Sequence, residues 1–331
     1  MRAYRLTAGG GLDGIAGVEL PDPEPGAGEV LVGVRATSLN YRDLGIALRS
    51  ADAVVPLSDG AGEVIAVGDG VTQMSVGDRV AGCFFSTWQD GAITAEHQQS
   101  ALGGAVDGML AEQVVLPAGG VVRLPAYMSY EEAATLPCAA VTAWNAMFEQ
   151  ARLRPGQTVL LLGTGGVSIV ALQLATIAGV RAIITSSSDE KLARARELGA
   201  DGTVNYVERE DWDQAVLDLT GGLGVDLVLE VGGEETLGKS MAATRVGGRV
   251  VLIGRLASSG GGGQPWPTVV RSLTLNGVYV GSRTMFEEMN RALTLHEVHP
   301  IIDRVFEFDD AVDAYRYLES QAHFGKVVIR V

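Results

Sequence analysis

Cysteine is scarce in this chain, whose 331 residues include Cys83 and Cys138 and no others of that type. Two cysteines exclude a disulfide framework and a zinc lobe built from four cysteines. Long apolar runs are missing as well, since none approaches the roughly 18 residues that a membrane-spanning helix needs. The first residues, Met1 to Leu6, also lack the apolar stretch of a signal peptide. We therefore expect a reducing, cytoplasmic setting and no membrane partner.

Basic residues are outnumbered by acidic ones. The chain has 25 lysines and arginines against 40 aspartates and glutamates, for a net charge of −15. This balance argues against non-specific binding to nucleic acid or to an anionic membrane. Hydrophobic residues make up 47% of the chain and charged residues 20%, which is typical of a globular protein. The length suggests about two domains.

The strongest motif is a glycine cluster, Gly163–Ser168, that follows an apolar run and precedes a helical pattern. Strand, glycine turn, helix and strand form the first part of a dinucleotide-binding Rossmann fold. Gly163 permits the tight turn, and Gly165 lets the backbone approach a pyrophosphate at the start of the helix. The predicted contacts of the pyrophosphate are Gly163, Thr164, Gly165, Gly166 and Val167.

The two parts of the chain differ in their pattern. Residues 1–125 contain short strand-like runs separated by glycine, proline and aspartate turns. From Gln157 onward, strands alternate with helices, which predicts a parallel sheet covered on both faces. The last strand of that sheet is expected near 269–277, after a glycine-rich loop. The fold class is therefore α/β.

The end of the second Rossmann strand predicts the nicotinamide cofactor. NAD-binding domains place an acidic residue there, on the ribose hydroxyls. This chain has Ser186 instead, with Ser187 and Lys191 close by. Hydroxyls and an ammonium bind a 2′-phosphate, which a carboxylate repels, so we predict NADPH in preference to NADH. In the alternative, Ser188 is only a helix cap and Lys191 is a solvated residue of the first helical turn.

Several separated blocks resemble the medium-chain dehydrogenase/reductase superfamily, and together they extend over the whole chain. These blocks are Gly60–Gly68 with Val76–Val80, Leu136–Trp144, Gly163–Ser168, Gly247–Gly254 and His323–Val328. The resemblance implies a GroES-like β-barrel substrate domain, residues 1–125 with 278–331, and a Rossmann domain, residues 126–277. It also implies a homodimer that pairs the last Rossmann strands near 269–277.

The resemblance also bears on zinc. Zinc alcohol dehydrogenases of this family carry a cysteine and a Gly-His-Glu block, which here fall at or beside Asn40 and at Leu57–Asp59. Amides and hydroxyls are poor zinc ligands. The chain is therefore similar to the zinc-independent members, the quinone oxidoreductases and enoyl reductases, and we predict no metal site.

The stretch Asn40–Asp43 resembles the Asn-aromatic-x-Asp motif of those two groups. We expect hydride transfer from NADPH to the β-carbon of an α,β-unsaturated carbonyl compound or to a quinone. Hydrogen-bond donors would stabilise the charge that develops on oxygen. Asn40 and Tyr41 are predicted to contact that oxygen, and Asp43 to orient its neighbours. For Tyr41 a packed aromatic role is an equal alternative, and the proton donor is left open, with water as one choice.

Further cofactor contacts follow from the resemblance and from the strand ends, where such sheets bind ligands. Thr142 lies in a block that family members place beside the nicotinamide, although helix capping or packing would explain it equally well. The remaining predicted contacts are Gly232, Leu252, Ile253, Gly254, Val280, Gly281, Ser282, Phe324 and Lys326. The substrate pocket is expected from the loops Ser86–Gly108 and Ser258–Trp266.

Two other functions fit the same residues. One is an NAD(P)-dependent alcohol or aldehyde dehydrogenase, against which the missing zinc ligands argue. The other is an NADPH-binding sensor or structural protein without turnover, because the glycine turn would serve it equally well. Oxidation of NADPH by an enone, quinone or aldehyde separates an enzyme from a sensor.

Overall fold

In the computed structural model, the described residues are 1–49, 53–256 and 266–331. The chain divides into two compact units: unit 1 is Met1–Val141 with Val280–Val331, and unit 2 is Thr142–Tyr279. Residues 126–141, which the resemblance assigns to the Rossmann domain, group with unit 1. Within the described ranges, no helix is both long and apolar enough to cross a membrane.

The N-terminal part of unit 1 consists mainly of strands. They are β1 (Arg2–Leu6), β2 (Ile15–Glu19), β3 (Glu29–Leu39), β4 (Asp59–Val67), β5 (Arg79–Gly82), β6 (Gln113–Pro117) and β7 (Val121–Arg123). The helices are α1 (Tyr41–Arg49), α2 (Ala95–Gln98) and α3 (Tyr130–Ala133), with 3-10 turns at Gly11–Gly14 and Ala118–Gly120.

A helical region follows at the end of this part. Ser129 caps α3: its Oγ accepts a hydrogen bond from Glu132 N at 3.1 Å, and the Glu132 carboxylate accepts one from Ser129 N at 2.8 Å. The region is not one continuous α-helix, since π-helical turns at Leu136–Ala140 and Asn145–Gln150 flank α4 (Val141–Trp144). Pro137 has no N–H for regular α-helical bonding, which explains the first interruption.

Unit 2 alternates strands and helices, and it confirms the predicted Rossmann sheet. Its elements are β8 (Thr158–Leu161), α5 (Gly166–Ile177), β9 (Arg181–Ser186), α6 (Asp189–Glu197), β10 (Gly202–Asn205), α7 (Trp212–Leu219), β11 (Val225–Glu230), α8 (Glu234–Ala243), β12 (Thr244–Leu252), α9 (Trp266–Val270) and β13 (Thr274–Gly277). The parallel strands lie in the order β10-β9-β8-β11-β12-β13, so the direction of winding reverses between β8 and β11.

The last strand of this sheet is shorter than we expected. Residues 266–270 form the helix α9, and strand geometry is confined to Thr274–Gly277. Pro267 accounts for the difference, because proline is favoured in the first turn of a helix. The predicted glycine-rich loop, Ser258–Gly263, lies outside the described residues.

The C-terminal part of the chain returns to unit 1. It contributes α10 (Arg283–His296), β14 (Ile302–Glu307), a 3-10 turn at Phe308–Asp310, α11 (Ala311–Glu319) and β15 (Lys326–Arg330). The main sheet of unit 1 has the order β14-β15-β3-β4-β5-β7, with β6 paired to β3. β15 therefore lies beside β3, with Val327 opposite Leu39, and the last strand of the chain is part of the central sheet.

Candidate functional site

The carboxyl ends of the parallel strands in unit 2 gather many of the predicted cofactor residues at one edge of the sheet. Gly163–Val167 follow β8, Ser186 ends β9, Gly232 follows β11 and Leu252–Gly254 lie at the end of β12. Since β8 and β11 are neighbours in the sheet, the winding reverses here, which is where open α/β sheets bind ligands. Contact with a cofactor stays a prediction for each of these residues.

The glycine turn after β8 has backbone features that suit the predicted pyrophosphate contact. Gly163 has a φ of +71°, in the left-handed region that favours glycine, and its N–H donates to Thr185 Oγ1 at 3.3 Å. The N-cap residue of α5 is Gly165, and no side-chain cap is found for this helix within the described residues, so the N–H groups of its first turn suit a ligand. Ser168 Oγ donates to Leu162 O at 2.7 Å, which ties the start of the helix to the end of the strand.

A buried glutamate supports the neighbouring loop of unit 2. Glu230 is 0% exposed and accepts the N–H groups of Gly232 at 2.7 Å and Gly233 at 3.0 Å. The hydroxyls of Thr236, at 2.6 Å, and Ser240 donate to the same carboxylate. These donors hold the loop that contains Gly232, a predicted cofactor contact. We did not predict Glu230, because a single glutamate ending a strand carries no distinguishing signal in the sequence.

The serines after β9 divide into a buried group and a surface group. Ser186 is 3% exposed, and its Oγ accepts from Ser188 N at 3.3 Å. Ser188 Oγ in turn accepts from Lys191 N at 3.3 Å, so the cap considered for Ser188 is present. Ser187 is exposed and Lys191 partly exposed. Of the side chains predicted to bind a 2′-phosphate, Ser187 and Lys191 are therefore the accessible ones.

In unit 1, buried and partly buried polar side chains meet at the ends of three neighbouring strands. We call this group the lysine cluster, and it consists of Asn40, Ser58, Asp59 and Lys326. Lys326 begins β15, Asn40 follows β3, and Asp59 begins β4. Lys326 is 6% exposed and Asp59 is 0% exposed. Buried charges of this kind need partners to offset the loss of hydration, and these residues provide them for one another.

The ammonium of Lys326 is the centre of the lysine cluster. Its Nζ donates to Asn40 Oδ1 at 2.7 Å and to Leu39 O at 2.6 Å, and it lies 3.6 Å from Asp59 Oδ2. Asp59 Oδ1 also accepts from Ser58 Oγ at 2.8 Å, and Oδ2 accepts from Cys138 N at 3.3 Å. The carboxylate is thus shared among a cation, a hydroxyl and a backbone N–H.

The carboxamide of Asn40 is satisfied on one side only. Its Oδ1 faces Lys326, which can only donate. Its Nδ2 is buried and has no acceptor within the described part of the chain. Buried polar atoms without a partner are few in native proteins, so this donor is the most distinctive atom of the cluster.

Of the residues that follow Asn40, Asp43 is buried and supports the Asn40 backbone, whereas Tyr41 is exposed. Asp43 is 1% exposed, and its Oδ2 accepts from Asn40 N at 2.7 Å. Burial raises the pKa of Asp43 from 3.8 to about 6, against the lowering effect of the Arg42 guanidinium, which lies 3.3 Å away. Tyr41 is 42% exposed, which argues against its alternative role as a packed aromatic.

A strained residue precedes Ser58. Leu57 has a φ of +68° and is 0% exposed, and this left-handed region is unfavourable for a bulky side chain. Gly108 permits the close approach, since a Cβ there would lie 2.1 Å from Leu57 O. Backbone strain of this kind is concentrated at functional sites. The turn at Leu57 directs Ser58 and Asp59 into the lysine cluster.

The remaining predicted cofactor residues are mostly buried. Thr142 is 3% exposed, Val280 4% and Phe324 1%. Val280 has a φ of +56°, which is strained for a β-branched residue. Gly281 follows, and Ser282 Oγ caps α10 by accepting from Met285 N at 3.3 Å.

The donor atoms at the expected zinc positions do not fit Zn²⁺. Asn40 offers an amide and Ser58 a hydroxyl, both poor zinc ligands, while Asp59 is paired with an ammonium. Burial, and then the charge of Asp59, raise the pKa of the Cys138 thiol, although zinc binds the thiolate. Burial likewise raises the pKa of Cys83 to about 12. Over the ranges described above, no three histidine, cysteine or carboxylate side chains could hold a metal ion.

Comparisons with known proteins cover both units. The chain matches the model of an alcohol dehydrogenase GroES-like domain over residues 26–126 and that of a zinc-binding dehydrogenase over residues 166–295. A zinc-type alcohol dehydrogenase-like protein of Schizosaccharomyces pombe is 45% identical over 317 residues, which cover 92% of this chain and 91% of that protein. An acryloyl-coenzyme A reductase of Metallosphaera sedula is 27% identical, with 94% and 95% covered.

Solved structures share the fold over the full length of the chain. A protein of Sinorhizobium meliloti 1021 assigned as an alcohol dehydrogenase has a TM-score of 0.92 and 38% identity, with 100% of this chain and 99% of that one covered. An NAD-dependent alcohol dehydrogenase has a TM-score of 0.91 and 34% identity, with both chains fully covered at 100%. A mycobacterial protein complexed with NADPH has a TM-score of 0.83 and 28% identity, again with 100% of each chain covered.

Proposed function

The chain belongs to the medium-chain dehydrogenase/reductase superfamily, and on this premise we propose that it transfers a hydride from NADPH to an α,β-unsaturated carbonyl compound or a quinone without zinc. At the coarser level, it is an NAD(P)-dependent oxidoreductase like its relatives. The finer proposal rests on one observation, which is the buried ammonium of Lys326 bonded to Asn40 and paired with Asp59.

The position of this ammonium supports a reaction without zinc. A zinc ion bound to Asn40 Oδ1 would lie within about 5 Å of the Lys326 nitrogen, given zinc–oxygen bonds of about 2.1 Å. A double and a single positive charge at that separation repel each other by roughly 7 kcal/mol at an effective dielectric constant of about 20. The Asp59 carboxylate offsets part of this repulsion. The Lys326 ammonium thus disfavours a zinc ion on Asn40 Oδ1.

Conjugated acceptors suit a site that has a fixed donor and no Lewis acid. NADPH, when bound, supplies the hydride. In an enone the hydride adds to the β-carbon and the negative charge develops on the carbonyl oxygen, where an N–H donor stabilises it. We assign this donor to Asn40 Nδ2, which is buried and lacks an acceptor in the part of the chain that is described. Tyr41 is a second proposed contact, and a proton from water at the α-carbon completes the product.

The direct test is turnover together with metal analysis of the same purified sample. We expect NADPH oxidation by enones or quinones and a zinc content far below one atom per chain. Stoichiometric zinc, or activity confined to simple alcohols and aldehydes, contradicts the proposal. Asn40→Ala and Tyr41→Phe test the site, and full turnover by both variants rules it out. NADPH binding without oxidation by any acceptor identifies the sensor instead.

A second candidate is the oxidation of alcohols or the reduction of aldehydes. The names of the relatives from Schizosaccharomyces pombe and Sinorhizobium meliloti favour it. The matched zinc-binding dehydrogenase model covers residues 166–295, which do not include Asn40 or Asp59. The same acceptor panel decides between the two candidates, because simple aldehydes lack the conjugated double bond.

We propose NADPH as the preferred cofactor, and accessible polar groups after β9 support this choice. Ser187 is exposed, Lys191 is partly exposed, and β9 ends in a serine where an NAD-binding domain has a carboxylate. Because one similar structure is named an NAD-dependent alcohol dehydrogenase, the cofactor choice has to be tested. The test compares the catalytic efficiency with NADPH and with NADH. Lys191→Met is expected to lower the preference for NADPH about tenfold through the lost charged contact. The matched control is Lys239→Met, a lysine on α8.

We also propose a homodimer that pairs the β13 edges of two chains. β13 ends the sheet as described, and unpaired strand edges favour pairing with another chain. The neighbouring α9 exposes Trp266 at 69%, Val269 at 63% and Val270 at 66%. Light scattering is expected to give the mass of two chains, reduced by Val269→Lys with Val270→Lys, and a monomeric wild type contradicts the proposal. The cytoplasmic setting stays a prediction.

A further inference from the structure

Lys326 is held by residues of its own unit. Its Nζ donates hydrogen bonds to Leu39 O at 2.6 Å and Asn40 Oδ1 at 2.7 Å, and Asp59 Oδ2 lies 3.6 Å away, at the distance of an ion pair. The side chain is 6% exposed. Lys326 is therefore placed to act on these neighbours.

The contact with Lys326 determines which way the carboxamide of Asn40 faces. A donor-only ammonium excludes the orientation in which the NH₂ group points toward it. The observed orientation adds a charged hydrogen bond, which is about twice as strong as a neutral one. It leaves Nδ2 on the opposite side, where no acceptor is found among the described residues.

Asp59 fixes the lysine in turn. Its carboxylate is held by Ser58 Oγ and by Cys138 N, and its backbone carbonyl accepts from Thr37 Oγ1. The pairing of β15 with β3 and of β3 with β4 sets the distances among Asn40, Asp59 and Lys326. The ion pair thus joins the first residues of two strands of the same sheet, β4 and β15.

We infer that Lys326 is a positioning residue, which orients the Asn40 carboxamide so that Nδ2 is the donor for the acceptor's oxygen. The same contact polarises the amide, and a hydrogen bond accepted at Oδ1 strengthens donation from Nδ2. This inference rests on the proposed function, in which Asn40 binds that oxygen. It assigns to Lys326 a role that differs from the cofactor contact implied by the family resemblance.

The test is a double-mutant cycle between Asn40 and Lys326. Lys326→Met alone leaves Asp59 buried without its cation, so the working variant is Lys326→Met with Asp59→Asn, which removes both charges. We expect Asn40→Ala to lower kcat by about 100-fold, as loss of an oxyanion donor does. The charge-free variant is expected to lower kcat at least tenfold, with the dissociation constant of NADPH unchanged.

Lys326 acts through Asn40, so the effects of the two changes are not additive. Asn40→Ala combined with the charge-free variant is expected to be no slower than Asn40→Ala alone. Lys326→Arg keeps the charge and the donor, and we expect it to restore most of the lost turnover. Full kcat in the charge-free variant, or additive losses in the combination, would overturn the inference.

A readout that needs no substrate separates this inference from the proposed function. The side-chain amide protons of Asn40, assigned by their loss in Asn40→Ala, report its orientation in an NMR spectrum. The charge-free variant is expected to shift these signals, and Lys326→Arg to keep them near their original position. Unshifted signals overturn the inference even if the enzyme reduces enones. Shifted signals in a protein that reduces only simple aldehydes support it while the proposed function fails.

Discussion

Each unit buries a carboxylate completely, Asp59 in unit 1 and Glu230 in unit 2, and the two are satisfied in different ways. Glu230 accepts from backbone N–H groups and hydroxyls that all follow it between residues 232 and 240. Asp59 is paired with Lys326, and Cys138 N is another of its donors. The first arrangement is local in the chain, whereas the second exists only once distant strands have met.

The two units therefore form their candidate sites in different ways. In unit 2 a carboxylate held by neutral donors fixes a backbone loop, and backbone N–H groups are what a pyrophosphate needs. In unit 1 a full positive charge stays in the protein beside Asn40, next to the atom proposed to meet developing negative charge. Charges in a low-dielectric site interact strongly. We therefore expect the lysine cluster to contribute more to catalysis than the Glu230 network does, and its disruption to lower the stability more.

The largest expected effect comes from breaking the ion pair in unit 1. Asp59→Asn keeps the shape of the side chain but leaves the buried ammonium of Lys326 without a counter-charge. We expect the free energy of unfolding to fall by about 3–5 kcal/mol, as in other buried pairs that lose one partner. Urea unfolding measures the loss, and hydrogen exchange of peptides from β4 and β12 separates the two units.

The control for that experiment removes both charges. Asp59→Asn with Lys326→Met is expected to recover most of the lost stability, because replacing both members of a buried pair is often close to neutral. If Asp59→Asn alone is as stable as the wild type, the ion pair has no role in holding unit 1 together.

A second effect, nearly as large, depends on pH. Burial raises the pKa of Asp43 from 3.8 to about 6, so the folded state favours the protonated carboxyl. Its contribution is fully present below about pH 4 and is lost as the pH rises through 6, by about 3 kcal/mol in all. Asp43→Asn is expected to remove this decline, so the stability difference between variant and wild type should change between pH 4 and 6. Parallel stability curves over that interval would contradict the raised pKa.

The matched change in unit 2 is expected to have a smaller effect. Glu230→Gln preserves shape and one acceptor oxygen but turns an NH₂ group toward a hydroxyl such as that of Ser240. No buried charge loses a partner, so we expect a loss of about 1–3 kcal/mol, the range for an unsatisfied neutral group. A loss equal to that of Asp59→Asn would show that the two carboxylates do not differ in the way proposed. The measurement is the same pair of unfolding and exchange experiments.

The sequence predicted the fold of unit 2 better than the contacts of the lysine cluster. The reason is again that the first depends on local patterns, whereas the second depends on distant strands meeting. The alternation of strands and helices in unit 2 was predicted, because hydrophobic period and turn residues are local signals. The contact of Lys326 with Asn40 requires β15 to lie beside β3, which no local pattern specifies. Trp88 is a similar case, since it lies in the predicted loop Ser86–Gly108 yet is 4% exposed. Long-range packing decided both positions.

The smallest expected effect on stability, and the sharpest test of backbone binding in unit 2, is at Gly163. A Cβ there meets nothing within 4 Å, but the φ of +71° is unfavourable for alanine. We expect Gly163→Ala to destabilise unit 2 by about 1–2 kcal/mol and to weaken NADPH binding about tenfold as the turn relaxes. Gly238→Ala is the control, because that glycine lies in α8 with open space around it, and alanine there should stabilise by about 0.5–1 kcal/mol. Fluorescence titration with NADPH measures binding. If Gly163→Ala is destabilised but keeps its affinity for NADPH, the turn has a structural role only. The proposed difference between backbone binding in unit 2 and side-chain binding in unit 1 would then no longer hold.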